Sequence, residues 1–436
     1  MKKIDLVLKE ALGKVKPEKE EMELLNKLLK EFIFKLGKNL KQSRLNAEIF
    51  VGGSFAKGTI IKKDIYDADI FLRFKKGKEN ISELTEKMLK GIGHEKVHGS
   101  RDYFKVKIDE NFLIEIIPVI KIKNPKEAEN VTDMSYSHVY YVKKKIKGKI
   151  LDEIRLAKAF CHANGCYGAE SYIKGFSGYA LELLVYHYGS FQKFVKAITK
   201  INQDKNSRIR STSPKLGQSK EIIDIEKHFK NKQEILMNLN DAKLQSPIVL
   251  IDPTYKQRNV LAALSMETFL RFKKICNEFL KKPNAKFFEI KKTDAEKIKR
   301  ESERKKLEFV SLTIKTDKQE GDIAGSKLLK FYNHLENEID RFFEIKKKYF
   351  EYNKKESANC FFSVKNKNEI TLNGPAINDK KNKERFIKTH KNTFIKKGRI
   401  FAKEKINFSL KDFLMKWEKK NRKKMGEMSV SGLEIK

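Results

Sequence analysis

The stretch GGSFAKGTIIKKDIYDADIFLRF (Gly52 to Phe74) follows the apolar run AEIFV (Ala47 to Val51) and ends in a second apolar run. β-branched residues on both sides of a Gly-Gly break restrict this part of the chain to a strand, a tight turn and another strand. In DADIFLRF, alternation places Asp67, Asp69 and Phe71 on one face and Ala68, Ile70 and Leu72 on the other. Two acidic side chains therefore project side by side from a rigid element. In Gly52-Gly53-Ser54 the missing side chains let backbone N–H groups approach an anion, Ser54 adds a hydroxyl donor, and Lys57 follows three residues on.

Carboxylates held this close repel each other unless a cation lies between them. An isolated Asp-x-Asp is most often a solvated pair. The Gly-Gly-Ser turn upstream favours a metal site instead, with Mg²⁺ and a nucleoside triphosphate as the natural occupants. The motif resembles the nucleotidyltransferase superfamily that includes DNA polymerase beta, poly(A) polymerases and tRNA CCA-adding enzymes, in which Gly-Ser is followed by Asp-x-Asp on adjacent strands. That resemblance implies a third carboxylate from a later strand. FLIEIIPVI (Phe112 to Ile120) offers Glu115 as the only acid in an apolar run. Burying it without a partner is expensive, and a shared metal removes that cost.

The 436 residues leave room for several domains, and a formal net charge of +37 points to a polyanionic partner. No basic amphipathic helix stands apart from the folded pattern, so nucleic acid is expected rather than a membrane surface. Cys161, Cys166, Cys276 and Cys360 are scattered and complete no tetrahedral metal set; they read as reduced structural thiols. No apolar run approaches the ~20 residues of a membrane span. A soluble, cytoplasmic protein is expected.

Residues 17–44 read as one amphipathic helix, with Pro17 at its start and Leu25, Leu28, Leu29, Phe32 and Leu36 at helical spacing. ISELTEKMLKGIG is a second helix, and YFKVKID and LIEIIPVIKI pair as strands, which makes residues 1–145 an α+β catalytic domain. VTDMSYSHVYY (Val131 to Tyr141) is a polar, aromatic connection in which Ser135 and His138 are the candidates for holding a triphosphate. Residues 151–191 contain a helix that stops at Asn164-Gly165 and a nearly all-apolar helix from about Ser177. By pattern alone, Lys158 in the first helix faces solvent and Tyr167 lies in the core.

The run DEIRLAKAFCHANGCYGAESYIKGFSGYALELLVYHYGSF, together with IDPTYKQRNVLAALS (Ile251 to Ser265), resembles the archaeal-type, class I tRNA CCA-adding enzymes. The resemblance spans roughly residues 1 to 285. It implies a polymerase-beta-like nucleotidyltransferase domain (1–145), a helical, nucleotide-binding central domain (146–265) and a C-terminal tRNA-binding body and tail (266–436). It also implies that Gly53, Ser54 and Lys57 meet the triphosphate and that Asp67, Asp69 and Glu115 bind two Mg²⁺ ions. Ser135, His138, Lys158 and Tyr167 are implied to hold phosphates and sugar, with Arg258 near the incoming base. The implied reaction is template-independent addition of C, C and A from CTP and ATP to the 3′ end of tRNA, bound through its acceptor stem. Lys57 stands where the family more usually has arginine, and Glu115 where it has aspartate.

Farther on, a helix is expected near Lys220 to Phe229, and METFLRFKKICNEFLKKP is an amphipathic helix. LEFVSLTIK and SANCFFSVKN alternate as strands, with SKLLKFYNHLENEIDRFFEIKKKYFEY expected as one helix between them. That order suggests an RRM-like α+β body with a helical tail. Lysines and arginines gather from Lys380 to Arg399 and around Trp417, a surface suited to an RNA backbone. A poly(A)-type polymerase or an oligoadenylate synthetase-like enzyme is the alternative reading. A catalytically dead RNA-binding protein is a third, whose mark would be a missing carboxylate. The sequence does not determine the oligomeric state, and a homodimer is one option.

Overall fold

The computed structural model describes residues 3–77, 79–99, 101–201, 221–290, 294–317 and 321–436. The chain divides into two units, Met1–Lys291 and Lys292–Lys436. The first opens with helices α1 (Lys3–Val15) and α2 (Lys19–Gln42). Acids Glu20 and Glu21 occupy the first turn of α2, where they favour the helix dipole, and Leu25, Leu29, Phe32 and Leu36 are buried along one face.

That face packs on a five-stranded sheet. Its strands are β1 (Ala47–Val51), β2 (Tyr66–Phe74), β3 (Glu95–Val97), β4 (Tyr103–Lys107) and β5 (Phe112–Ile120), in the order β1-β2-β5-β4-β3. Between β1 and β2 lies a single-turn helix, α3 (Gly53–Ala56), and between β2 and β3 lies α4 (Ile81–Met88). β2 and β5 run parallel, which requires a crossover, and α4 with β3 and β4 provides it. Ala68, Ile70, Leu72, Ile114 and Ile116 point into the core shared with α2. Alternation then sends Asp67, Asp69 and Glu115 to the opposite face.

Helices α5 (Ser135–Lys145), α6 (Lys149–Ala163), α7 (Gly178–Tyr188) and α8 (Phe191–Lys200) follow. His138 is therefore on a helix and not on the loop that the polar composition of Val131 to Tyr141 suggests. α7 is buried from Ala180 to Val185, as its apolar sequence requires, and carries Glu182 inside with it. The helix expected near Lys220 to Phe229 does not form. Lys220 lies outside the described residues, and β6 (Glu221–Ile223) is a strand parallel to β7 (Ile248–Asp252). Ile222 and Ile223 are better satisfied by that ladder than by an isolated helical turn. A short helix, α9 (Lys232–Asn238), precedes β7, and β8 (Tyr255–Asn259) pairs back on it. α10 (Met266–Lys281) closes the unit, packing Phe272 and Phe279 edge-on against Phe160 of α6.

The second unit begins with α11 (Ala295–Arg304), β9 (Glu308–Lys315) and α12 (Gly321–Asp340). The single helix expected for Ser326 to Tyr352 stops at Asp340, and Phe343–Tyr352 is strand β10, paired antiparallel with β11 (Ser357–Asn366). In FEIKKKYFEY the charged residues Glu344, Lys346 and Lys348 alternate outward with less exposed neighbours, a pattern that suits a half-exposed strand. β12 (Glu369–Ala376), α13 (Lys380–Thr389), β13 (Thr393–Lys396) and β14 (Arg399–Lys405) form a separate three-stranded sheet with its helix. The chain ends with α14 (Leu410–Glu427) and β15 (Gly432–Ile435). The main sheet is ordered β10-β11-β9-β15 and is antiparallel throughout. With α12 after β9 and α14 before β15, this is the split β-α-β-β-α-β order of an RRM-like sheet, interrupted between β11 and α14 by the smaller sheet.

Candidate active site

The Gly-Gly turn is built against β2. Gly52 N–H donates to the Asp69 carbonyl at 2.8 Å. Gly53 has φ +60°, and a Cβ placed there would lie 1.5 Å from Asp69 Oδ2. Only glycine fits, because the positive φ and the contact with the carboxylate both exclude a side chain. Ser54 and Lys57 follow on and just beyond α3.

Asp69 and Glu115 are register partners on parallel strands, with Asp67 one pleat earlier on the same face. Burial, then the charge of Asp67, pushes Asp69 up to about 6. Burial, then Asp69 and Asp67, pushes Glu115 up to about 7. Asp67 meets the Lys63 ammonium at 2.5 Å. Among the described residues no three His, Cys, Asp or Glu side chains are already gathered as a metal cage. The donor set nonetheless fits Mg²⁺. It is all oxygen, and Mg²⁺ usually takes one or two carboxylates and completes its shell with water and substrate phosphates.

Next to this face is a buried ion cluster. Lys57 Nζ donates to Glu182 Oε2 at 2.7 Å, and Lys158 Nζ donates to Glu182 Oε1 at 2.8 Å and to Thr59 Oγ1 at 2.8 Å. Thr59 Oγ1 donates in turn to Glu182 Oε1 at 2.8 Å. Glu182 is 0% exposed and Lys158 2%. Lys158 is therefore buried, contrary to its reading from pattern. Burial pushes Glu182 up, but Lys158 and Lys57 outweigh it and hold the carboxylate at about 2. Burial, with Lys57 alongside, lowers Lys158 to about 8 against the pull of Glu182. Two ammonium groups share one carboxylate, so the cluster carries uncompensated positive charge. Tyr167 adjoins it: a Cβ at Gly178 would meet Tyr167 Oη at 2.8 Å and Lys158 Nζ at 3.7 Å.

A second buried carboxylate organises the remaining candidates. Asp252, at the end of β7, is 0% exposed. Its Oδ2 accepts from the Nε2–H of His138 at 3.0 Å and from Arg258 Nη1 at 2.6 Å. Its Oδ1 accepts from Tyr179 Oη at 3.2 Å and from the Thr254 amide and hydroxyl, each at 2.8 Å. His138 stacks on Tyr179, with ring centroids 4.2 Å apart, and Lys57 Nζ lies 5.8 Å from the same tyrosine ring. Tyr179 thus stands between the two clusters. Burial lowers the imidazole of His138 and outweighs the opposing pull of Asp252. Ser135 opens the helix that carries His138.

The structure thus brings Lys57 together with Lys158, and His138 together with Arg258, through two acids that sequence reasoning passed over. Glu182 had a readable signal, being an acid inside an apolar helix. The pairing of Asp252 with Tyr179 and with His138 had none, because it joins residues 73 and 114 apart along the chain.

Two protein families match the chain, both within its first unit. Residues 25–151 match the nucleotidyltransferase domain family, and residues 152–289 match the family described as tRNA nucleotidyltransferase, second domain. The CCA-adding enzyme of Nanoarchaeum equitans is 37% identical over 329 residues, covering 74% of each chain. That of Methanocaldococcus jannaschii is 30% identical over 429 residues, covering 93% of this chain and 88% of its own. Among solved structures, the chain is similar to a cytoplasmic RNA terminal U-transferase, with a TM-score of 0.47 at 12% identity over 67% of this chain and 100% of that one.

Proposed function

The chain belongs to the CCA-adding enzymes, tRNA nucleotidyltransferases, and on that footing we propose that it adds C, C and A in turn to the 3′ end of tRNA, using CTP and ATP and releasing pyrophosphate. One observation carries the site assignment. The acidic face of β2 and β5 adjoins a buried cluster with uncompensated positive charge, close enough that Lys57 and Lys158 pull Asp69 down against its burial.

In this reading Lys57 and Lys158 bind the triphosphate oxygens, with Ser54 and the Gly53 backbone alongside and with Ser135, His138 and Tyr167 on phosphate and sugar. Their charge neutralises what develops on the leaving pyrophosphate. Asp67, Asp69 and Glu115 are the residues that would hold two Mg²⁺ ions, which when bound supply positive charge at the attacking hydroxyl and the triphosphate. The RNA 3′-oxygen attacks the α-phosphate in line. Glu115, with its raised pKa, is the carboxylate assigned to take the hydroxyl proton.

Without a nucleic-acid template, the base is told apart by protein groups and RNA phosphates. Arg258 is the group assigned to its edge. The basic surface of the second unit, α13 above all, suits the phosphates of a tRNA helix, which is recognised by backbone and shape. No helix among the described residues is long and apolar enough to cross a membrane. The four cysteines are free and buried, which suits the reducing cytoplasm.

The test is incorporation on tRNA transcripts that end before, within and after CCA, with each of the four nucleoside triphosphates. The expected product is the transcript completed to CCA and no further. Incorporation of ATP alone, or equal use of unrelated RNA, would contradict the assignment.

A further inference from the structure

We propose that Asp252 is the positioning residue for nucleotide selection: it aims Arg258 at the incoming base and ties that aim to His138 on the triphosphate side. The inference rests on the functional reading above and adds to it a residue that touches neither RNA nor nucleotide.

The geometry divides the carboxylate into an anchored half and a working half. Oδ1 accepts from the Thr254 amide and hydroxyl and from Tyr179 Oη, which fixes the side chain to its own turn and to α7. Oδ2 is thereby presented to His138 Nε2–H and Arg258 Nη1. Asp252 is wholly buried, whereas the Arg258 side chain is 22% exposed. The guanidinium is gripped from behind through one nitrogen, while its planar fork keeps further N–H donors for a base edge. An arginine free to swing offers the same charge to every base. One held in a fixed plane offers donors at defined points, and that difference separates bases of similar size.

His138 shares Oδ2 with Arg258 and stacks on Tyr179, which itself holds Oδ1. A displacement at the phosphate end of the nucleotide is thus transmitted to Arg258 through a single carboxylate. With His138 neutral, Asp252 and Arg258 also balance in charge, so the cluster can remain ordered before nucleotide arrives.

The experiment measures kcat/KM for CTP, UTP, ATP and GTP on tRNA ending one step before each addition, for the wild type, Asp252→Asn and Thr254→Val. Asp252→Asn keeps shape and removes the charge that holds Arg258. Thr254→Val loosens the anchor and leaves every charge in place. The proposal expects the CTP-over-UTP and ATP-over-GTP ratios to fall about tenfold or more in Asp252→Asn, the size of one hydrogen bond to a charged group. A smaller fall in the same direction is expected in Thr254→Val, and this second variant decides the matter should Asp252→Asn fail to fold. Ratios unchanged within about twofold, with all four nucleotides losing activity alike, would make Asp252 a structural residue and overturn the inference. A wild type that shows no preference for CTP and ATP would overturn the functional reading itself, which separates the two failures.

Discussion

Asp69 and Glu115 stand opposite each other on paired parallel strands, and the charge of Asp69 adds to burial in raising the pKa of the Glu115 carboxyl group. That repulsion, with the charge of Asp67 on both groups and their burial, is a standing cost that a divalent cation relieves.

The first prediction follows from the sign of those shifts. Asp69 is raised from 3.8 to about 6 and Glu115 from 4.5 to about 7, so between those limits the folded chain holds more protons than the unfolded one. Stability from this pair is present at low pH and is lost as pH rises through about 4 to 7. Mg²⁺ requires the ionised carboxylates, so its stabilising effect should grow with pH. Thermal denaturation in EDTA and in Mg²⁺ is expected to show a larger Mg²⁺-induced rise in melting temperature near pH 8 than near pH 5. Asp69→Asn and Glu115→Gln should each flatten that difference.

Glu182 supplies a second prediction. Glu182→Gln removes the one carboxylate that two buried ammonium groups share. Unfolding by urea is expected to show a loss of about 3 kcal/mol or more, the usual cost of leaving a buried charge unpaired. KM for both CTP and ATP should rise, because Lys57 and Lys158 lose their fixed positions. If stability and KM stay at wild-type values, the cluster is not what orders the two lysines.

Much of this site is legible in the chain, and the parts that are not share a cause. Period-two alternation puts Asp67 and Asp69 on one face of β2, and the isolation of Glu115 in an apolar run marks it as a partnered acid. The same logic applies to Glu182, alone in the apolar helix α7, but a helix does not advertise which residue an inward-pointing side chain will meet. His138 and Asp252 are 114 residues apart, and their pairing exists only once α5 and β7 pack. Phe343–Tyr352 reads as helix from sequence because its aromatic residues fit helical and strand spacing equally well over so short a run, and only pairing with β11 decides between them. β6 is three residues long, too short for any period to show.

Gly53 gives a third prediction. Gly53→Ala would place a methyl group on the Asp69 carboxylate in a backbone region that costs alanine roughly 1–2 kcal/mol. Incorporation of both nucleotides is expected to fall roughly 100-fold or more, about 3 kcal/mol of transition-state stabilisation, while tRNA binding by filter retention stays close to wild type. Near-normal activity would show that Asp69 tolerates displacement and weaken its assignment.

A fourth prediction concerns the second unit. Helix α13 buries none of its residues, and Lys381, Arg385 and Lys388 lie on it exposed. Replacing all three with alanine should weaken tRNA binding. The slope of log K against log salt should fall by about one for each RNA phosphate that the removed cations had neutralised. An unchanged slope would place the tRNA elsewhere on the chain.

The most direct measurement is single-turnover incorporation of CTP and of ATP by Asp69→Ala, on tRNA ending before the first C and after the second, with tRNA affinity measured in parallel. No incorporation of either nucleotide is expected, at near wild-type tRNA affinity. Retained incorporation of either one would contradict the assignment of the acidic face of β2 and β5 as the catalytic centre.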